Sequence, residues 1–162
     1  MCTHVTETVE EGIGWSPGVV RECLAREETI LFVEDEAFVR EVTGEVLRSA
    51  GYRVLTAKNA TEATGVYDQR RGEVELLLTD VVLPGETGRA LAGRLRRENP
   101  GLKVLLVTGY AEQMGLREAM REECLAKPFS TEVLLRRVRQ VLDRREQWSG
   151  SEDLLRHAGG NG

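Results

Sequence analysis

Five side chains stand out by type and spacing: the carboxylates of Glu34, Asp35 and Asp80, the hydroxyl of Thr108 and the amine of Lys127. Each follows a short apolar run: residues 30–33, 76–78, 102–107 and 124–126 respectively lead into Glu34-Asp35, Thr79-Asp80, Thr108 and Lys127. Such runs read as strands buried on both faces of a parallel sheet. Ligands of open α/β sheets sit outside the carboxyl ends of the strands. If the first strand is central, flanked by the third with the fourth and fifth beyond, all five groups face one crevice. Three carboxylates a few Å apart repel by on the order of a few kcal/mol per pair at intermediate dielectric, so the cluster calls for a cation. No His or Cys accompanies them, and all-oxygen ligation suits a hard ion, Mg²⁺ ahead of Ca²⁺, because no EF-hand loop is present. Lys127 adds positive charge without balancing three acids. A hydroxyl, an ammonium and a metal facing a carboxylate suit transfer of a phosphoryl group onto Asp80.

Each residue has an ordinary reading when taken singly. Asp80 could be a turn former after a strand. Glu34 and Asp35 could open a helix, where acids suit the dipole. Thr108 could cap a strand end and Lys127 could be a solvated surface lysine; Glu36 keeps the plain reading of a helix-start acid. Jointly these readings fail, because unrelated caps would not gather acid, acid, hydroxyl and amine on one sheet edge.

The elements that must position these groups alternate strand and helix. After the first strand, Phe38, Val39, Val42, Val46, Leu47 and Ala50 predict a helix stopped by Gly51. Residues 53–57 form a second strand, and Asn59 with Glu62 opens a helix as a capping box, closed by Gly72. The third strand, 74–79, leads to Asp80, and a loop with Pro84, Gly85 and Gly88 follows. A helix over about 87–98 turns Ala90, Leu91 and Leu95 inward and ends at Asn99-Pro100-Gly101. A helix over about 111–121, carrying Gly115, separates the last two strands, and Ser130 caps a final helix with Leu134, Leu135, Val138, Val141 and Leu142 on one face. The fold class is therefore α/β: a five-stranded parallel sheet, doubly wound by right-handed crossovers, with helices on both faces.

Composition narrows the class. The 162 residues suffice for one domain, and a net charge of -5 argues against broad nucleic-acid binding. No apolar run is long enough to span a membrane, and the N-terminus lacks a signal-peptide pattern, so a cytoplasmic location is expected. Cys2, Cys23 and Cys124 are scattered and odd in number, which indicates no disulfide framework, and His4 and His157 lie at opposite ends, away from any zinc-site spacing. Residues 1–27 are expected to be a loosely ordered extension, 28–146 the domain, and 147–162 a polar, disordered tail. Arg136, Arg137, Arg139, Arg144 and Arg145 on the last helix are read chiefly as a solvated face.

The segments ILFVEDE (30–36), LLLTDVVLPGETG (76–88), VLLVTGY (104–110) and LAKPF (125–129) carry a family resemblance. The chain is similar to the receiver domains of bacterial response regulators in two-component signalling, in style most like receivers of hybrid sensor kinases. The resemblance implies a flavodoxin-like strand order 2-1-3-4-5. It assigns Asp80 as phosphoacceptor, Asp35 as a direct Mg²⁺ ligand and Glu34 as one acting through water, with Asp80 and the backbone carbonyl of Val82 completing the protein's share. Lys127 is to pair with the carboxylate and then the phosphoryl group, and Thr108 to bond a phosphoryl oxygen after moving inward. The peptide between Lys127 and Pro128 is expected to be cis.

The implied partners are a sensor histidine kinase or histidine phosphotransfer protein and an unidentified downstream protein, with no nucleic acid and no membrane. A homodimer through the helix at 111–121, the fifth strand and the last helix is a further expectation. The function implied is that of a single-domain response regulator, a phosphoacceptor switch and not a turnover enzyme. The alternative is a receiver-like binding module that is never phosphorylated. A phosphatase of the haloacid dehalogenase type needs a second Asp two residues after the nucleophile, where this chain has Val82. Two departures from the family pattern stand out. Cys124 occupies the place of a switch aromatic, with Tyr110 as a partial substitute, and Val82 and Tyr110 flank the expected path of a hydrolytic water, where their bulk should slow loss of the phosphoryl group.

Overall fold

The computed structural model describes residues 27–109 and 123–144. The segment 110–122, with the expected helix at 111–121 and Tyr110, lies outside the described residues, as do 1–26 and 145–162. The described elements run β1 (Thr29–Val33), α1 (Ala37–Ser49), β2 (Arg53–Ala57), α2 (Ala60–Gln69), β3 (Val74–Asp80), α3 (Gly88–Glu98), β4 (Lys103–Thr108), β5 (Cys124–Ala126) and α4 (Thr131–Asp143). The strands form one parallel sheet in the order β2-β1-β3-β4-β5, as expected.

Alternate strand residues divide the core into two layers, as a period of two requires. Leu31, Val33, Leu77, Val104 and Leu106 face α2 and α3, meeting Ala63, Tyr67, Leu91 and Leu95. Ile30, Phe32, Leu76, Leu78 and Leu105 face the other way, meeting Leu47 of α1 and Leu134, Val138 and Val141 of α4. Burial on both faces is why these strands read as continuous apolar runs.

Caps set the helix starts. Asn59 accepts from Glu62 N at 2.8 Å, while the Glu62 carboxylate reaches back to Lys58 N, one residue beyond the Asn59 amide that a capping box would use. Thr87 and Ser130 accept from Ala90 N and Val133 N, opening α3 and α4. Gly51, Gly72 and Gly85 have positive φ, which places them in the turns where the sequence puts them.

Three expectations are corrected. The inward face of α1 is narrower than its apolar residues suggest: Gly44 and Leu47 are buried, whereas Phe38 is 72% and Val42 47% exposed, and Ala50 is also exposed. At the helical repeat Phe38 stands about 180° round the axis from Leu47, so one sheet face cannot cover both. On α3, Ala90 is exposed and Ala92 joins Leu91 and Leu95 in the core. Asp80 and Thr108 are the last residues of their strands and do not lie beyond them, because Val81 N still donates to Val107 O (2.8 Å) and Lys127 N to Thr108 O (2.8 Å).

Candidate functional site

β1 and β3 are neighbours, with Val33 registered against Thr79, so Glu34 and Asp80 leave adjacent strands at the same edge. Glu34 N donates to Ala57 O at 3.0 Å, holding the chain to β2 as it leaves β1. On the other side, the loop after Asp80 curls back until Gly88 N reaches Val81 O at 2.9 Å. Beyond β4, the short strand β5 delivers Lys127, and the Lys127–Pro128 peptide is cis, as the resemblance implied.

These placements converge on one ammonium group. Lys127 Nζ lies 2.7 Å from Asp80 Oδ2 and 3.3 Å from Glu34 Oε2. Asp80 Oδ1 accepts from Val82 N at 2.9 Å, and Glu34 Oε1 from Glu36 N at 3.2 Å. Glu34 is only 4% exposed and Asp80 9%. Burial raises the Glu34 carboxyl above its usual range; the Glu36 amide and Lys127 pull the other way, and the Asp80 charge and the Asp35 side chain add to the rise. For Lys127 burial alone would lower the ammonium, but its hydrogen bond to Asp80 and the charges of Asp80 and Glu34 outweigh that and hold it above the ordinary lysine value. Thr108 is buried, 2% exposed, at the end of β4, and its carbonyl receives the Lys127 amide.

Asp35 is exposed at the rim beside Glu34. Glu34, Asp35 and Asp80 gather three carboxylates around the Lys127 ammonium, and all their donor atoms are oxygen. That donor set fits a hard divalent ion in kind and in charge. Among the described residues, however, no three acidic, His or Cys side chains are already drawn together as a ligand cage. Glu34 and Asp80 turn toward Lys127 instead, so holding an ion calls for side-chain rotation. Val82 is 58% exposed beside Asp80.

Three residues around the site carry contacts that the sequence did not assign. Arg40 Nη1 donates to the carbonyls of Glu34 (2.7 Å) and Asp35 (3.2 Å). Arg94 grips Glu86 in the loop after Asp80 (Nη2 to Oε2, 2.7 Å) and Thr64 Oγ1 of α2 (3.0 Å). Gly88 abuts the Asp80 backbone, where a Cβ would meet the carbonyl oxygen at 1.9 Å. Bonds from a side chain to backbone, or to side chains distant in sequence, leave no periodic trace; only the Gly in the loop was a visible signal.

Cys124 is half-buried in β5 against the α2–α3 layer, and burial pushes its thiol up, away from reactivity. The basic stripe of α4 is not simply solvated. Arg139 forms a two-pronged pair with the buried Glu28 (2.9 and 2.7 Å) and Arg137 reaches Cys124 O at 3.4 Å, so both tie the helix to the sheet.

The sequence profile of the response regulator receiver domain matches residues 30–139. The chain is 35% identical over 126 residues to the sensor kinase CckA of Brucella abortus, covering 76% of this chain and 13% of that protein. It is 37% identical over 123 residues to the phosphate regulon transcriptional regulatory protein PhoB of Pseudomonas aeruginosa, covering 72% of this chain and 52% of that one. The chain thus spans about half or less of these curated relatives. Among solved structures, the receiver domain of the hybrid histidine kinase CckA superposes with a TM-score of 0.60 at 36% identity, covering 70% of this chain and 98% of that one. The response regulator TrrA of Thermotoga maritima, in complex with Mg²⁺ and BeF, gives 0.61 at 30% identity, covering 70% and 98%. By its sequence match, its strand order and its likeness to these structures, the chain belongs to the response regulator receiver domain family of two-component systems.

Proposed function

We propose that the chain is a phosphoacceptor switch whose Asp80 takes a phosphoryl group from a phosphohistidine. The observation that carries this reading is the 2.7 Å contact of Lys127 Nζ with Asp80 Oδ2, at a sheet edge that also bears Glu34 and Asp35. A carboxylate oxygen of Asp80 attacks phosphorus, the P–O bond forms as the P–N bond breaks, and the imidazole leaves with the bond's electron pair, taking up a proton. Lys127, already paired with the carboxylate, stays beside the transferred group and offsets its charge. Val82 N–H holds one carboxylate oxygen and so orients the nucleophile. Thr108, at the end of the neighbouring strand, is assigned the bond to a phosphoryl oxygen. Asp35, Asp80 and the Val82 carbonyl, with Glu34 acting through water, would hold Mg²⁺, which would offset the charge of the incoming dianionic phosphoryl group.

The donor is a histidine kinase or histidine phosphotransfer protein. The exposed large apolar side chains among the described residues, Phe38, Val42, Val82 and Val133, lie on α1, on the loop after Asp80 and at the start of α4. These are the elements that follow β1, β3 and β5 at the site edge, which suits contact with a protein donor. We assign residues 28–146 as the receiver, acting in the cytoplasm, and self-association to the surface of β5 and α4. No described helix is long and apolar enough to cross a membrane. The test is incubation with acetyl phosphate and Mg²⁺, read by intact mass. The native chain should gain one phosphoryl group and Asp80→Ala none; equal labelling of both would place the acceptor elsewhere than Asp80, and labelling of neither would leave a binding module without phosphorylation.

A further inference from the structure

We propose that Arg40 is a positioning residue for the cation end of the site, fixing the backbone from which Glu34 and Asp35 project. The inference rests on the metal reading given above. Arg40 sits in the first turn of α1, its own amide bonded to Glu36 O at 2.9 Å. Its Nη1 turns back onto two successive carbonyls, Glu34 O at 2.7 Å and Asp35 O at 3.2 Å. Two consecutive peptides aimed at one nitrogen set the backbone on either side of Asp35, and with it the direction of the Asp35 side chain.

Little else holds that turn. Glu36, the N-cap of α1, makes no side-chain cap bond, and the first turn contains no acid. Glu34 is tied through its amide to β2 and through its carboxylate to Glu36 N. The carbonyls of Glu34 and Asp35 lie past the end of β1, and Arg40 supplies them with a protein donor.

Charge and geometry have opposite signs here, which makes the idea testable. A guanidinium near a cation site repels the ion. If Arg40 acted as a charge alone, removing it would tighten Mg²⁺. If it acts by holding the turn, removing it loosens Mg²⁺, and Lys fails to replace it because a strongly hydrated ammonium on a flexible stem is not held against the two carbonyls as the rigid planar guanidinium is.

The experiment is calorimetric titration of the full chain with Mg²⁺ at fixed ionic strength, on the native protein, Arg40→Lys, Arg40→Met, Asp35→Asn and, as a control on the same helix, Arg48→Lys. Thermal unfolding in chelator gives the metal-free stability of each. Both Arg40 variants should bind Mg²⁺ about tenfold more weakly, the lower end of the range for residues that orient metal ligands, while Arg48→Lys binds as the native chain does. Native affinity in Arg40→Lys, tighter binding in Arg40→Met, or a lowered melting temperature with unchanged affinity would each overturn the inference. A native chain that takes up no Mg²⁺, or an Asp35→Asn variant that binds as well as native, removes the metal reading first and the role of Arg40 with it.

Discussion

The hydrogen-only side of Gly88 faces the main chain of Asp80, close enough that an added Cβ would lie 1.9 Å from the Asp80 carbonyl oxygen and 2.9 Å from Thr79 Oγ1. The loop that leaves Asp80 therefore returns to press α3 against the residue it came from. Gly88→Ala must displace backbone, and overpacking of this kind costs about 1–3 kcal/mol. Urea unfolding should show that loss. Asp80 labelling by acetyl phosphate should slow as well, because the shift falls on the nucleophile's own peptide.

Lys127→Met should leave the strands in place and impair transfer. Removing one preorganised positive donor from a developing phosphoryl charge costs on the order of 10²-fold in rate. Single-turnover labelling of the native and variant chains by a phosphorylated donor measures it, and equal rates would show that the 2.7 Å contact with Asp80 is structural only.

Glu34 gives a pH signature in the metal-free chain. Its carboxyl is raised above the ordinary value of 4.5, chiefly by burial. Above 4.5 and up to the raised value, the folded chain holds a proton that the unfolded chain has released, so this residue's contribution to stability falls as pH rises through that window. Glu34→Gln removes the group, and the stability difference between variant and native should grow in the variant's favour across the window. A difference that is flat in pH would refute the assignment.

The Glu86–Arg94 pair steadies the loop after Asp80, but both side chains are 35% exposed. Screening by solvent limits such a pair to roughly 0.2–1 kcal/mol. A double-mutant cycle with Glu86→Gln and Arg94→Met should return a coupling in that range, at the upper end because Arg94 also bonds Thr64.

Phe38→Ala separates docking from chemistry. Phe38 is 72% exposed, so the change should alter stability by no more than about 0.5 kcal/mol. Labelling by acetyl phosphate should be unchanged, while transfer from a phosphohistidine protein should slow several-fold. Equal rates with both donors would remove α1 from the docking surface.

Much of the fold was legible because its central strands β1, β3 and β4 are buried on both faces: runs such as Leu76-Leu77-Leu78 admit few other readings, and their polar ends announce the site edge. The inner face of α1 was not legible, since Phe38 and Val42 are as apolar as Leu47 and only the position of the sheet selects among them. At the site, residue types and order pointed to Glu34, Asp80 and Lys127, which the structure brings together, with Thr108 buried at the next strand end. The supporting contacts of Arg40 and Arg94 were invisible, because they go to carbonyl oxygens and to partners in other elements. That Lys127 serves Glu34 as well as Asp80 was also beyond sequence: it depends on Glu34 being folded inward while Asp35 remains at the rim.

The most direct measurement is to trap the labelled residue. After phosphorylation with Mg²⁺, borohydride reduces an acyl phosphate on an aspartate to homoserine, and peptide mass mapping locates it. Homoserine is expected at position 80 and nowhere else; conversion at another carboxylate, or none in a chain shown to be labelled, would contradict the assignment of Asp80 as phosphoacceptor.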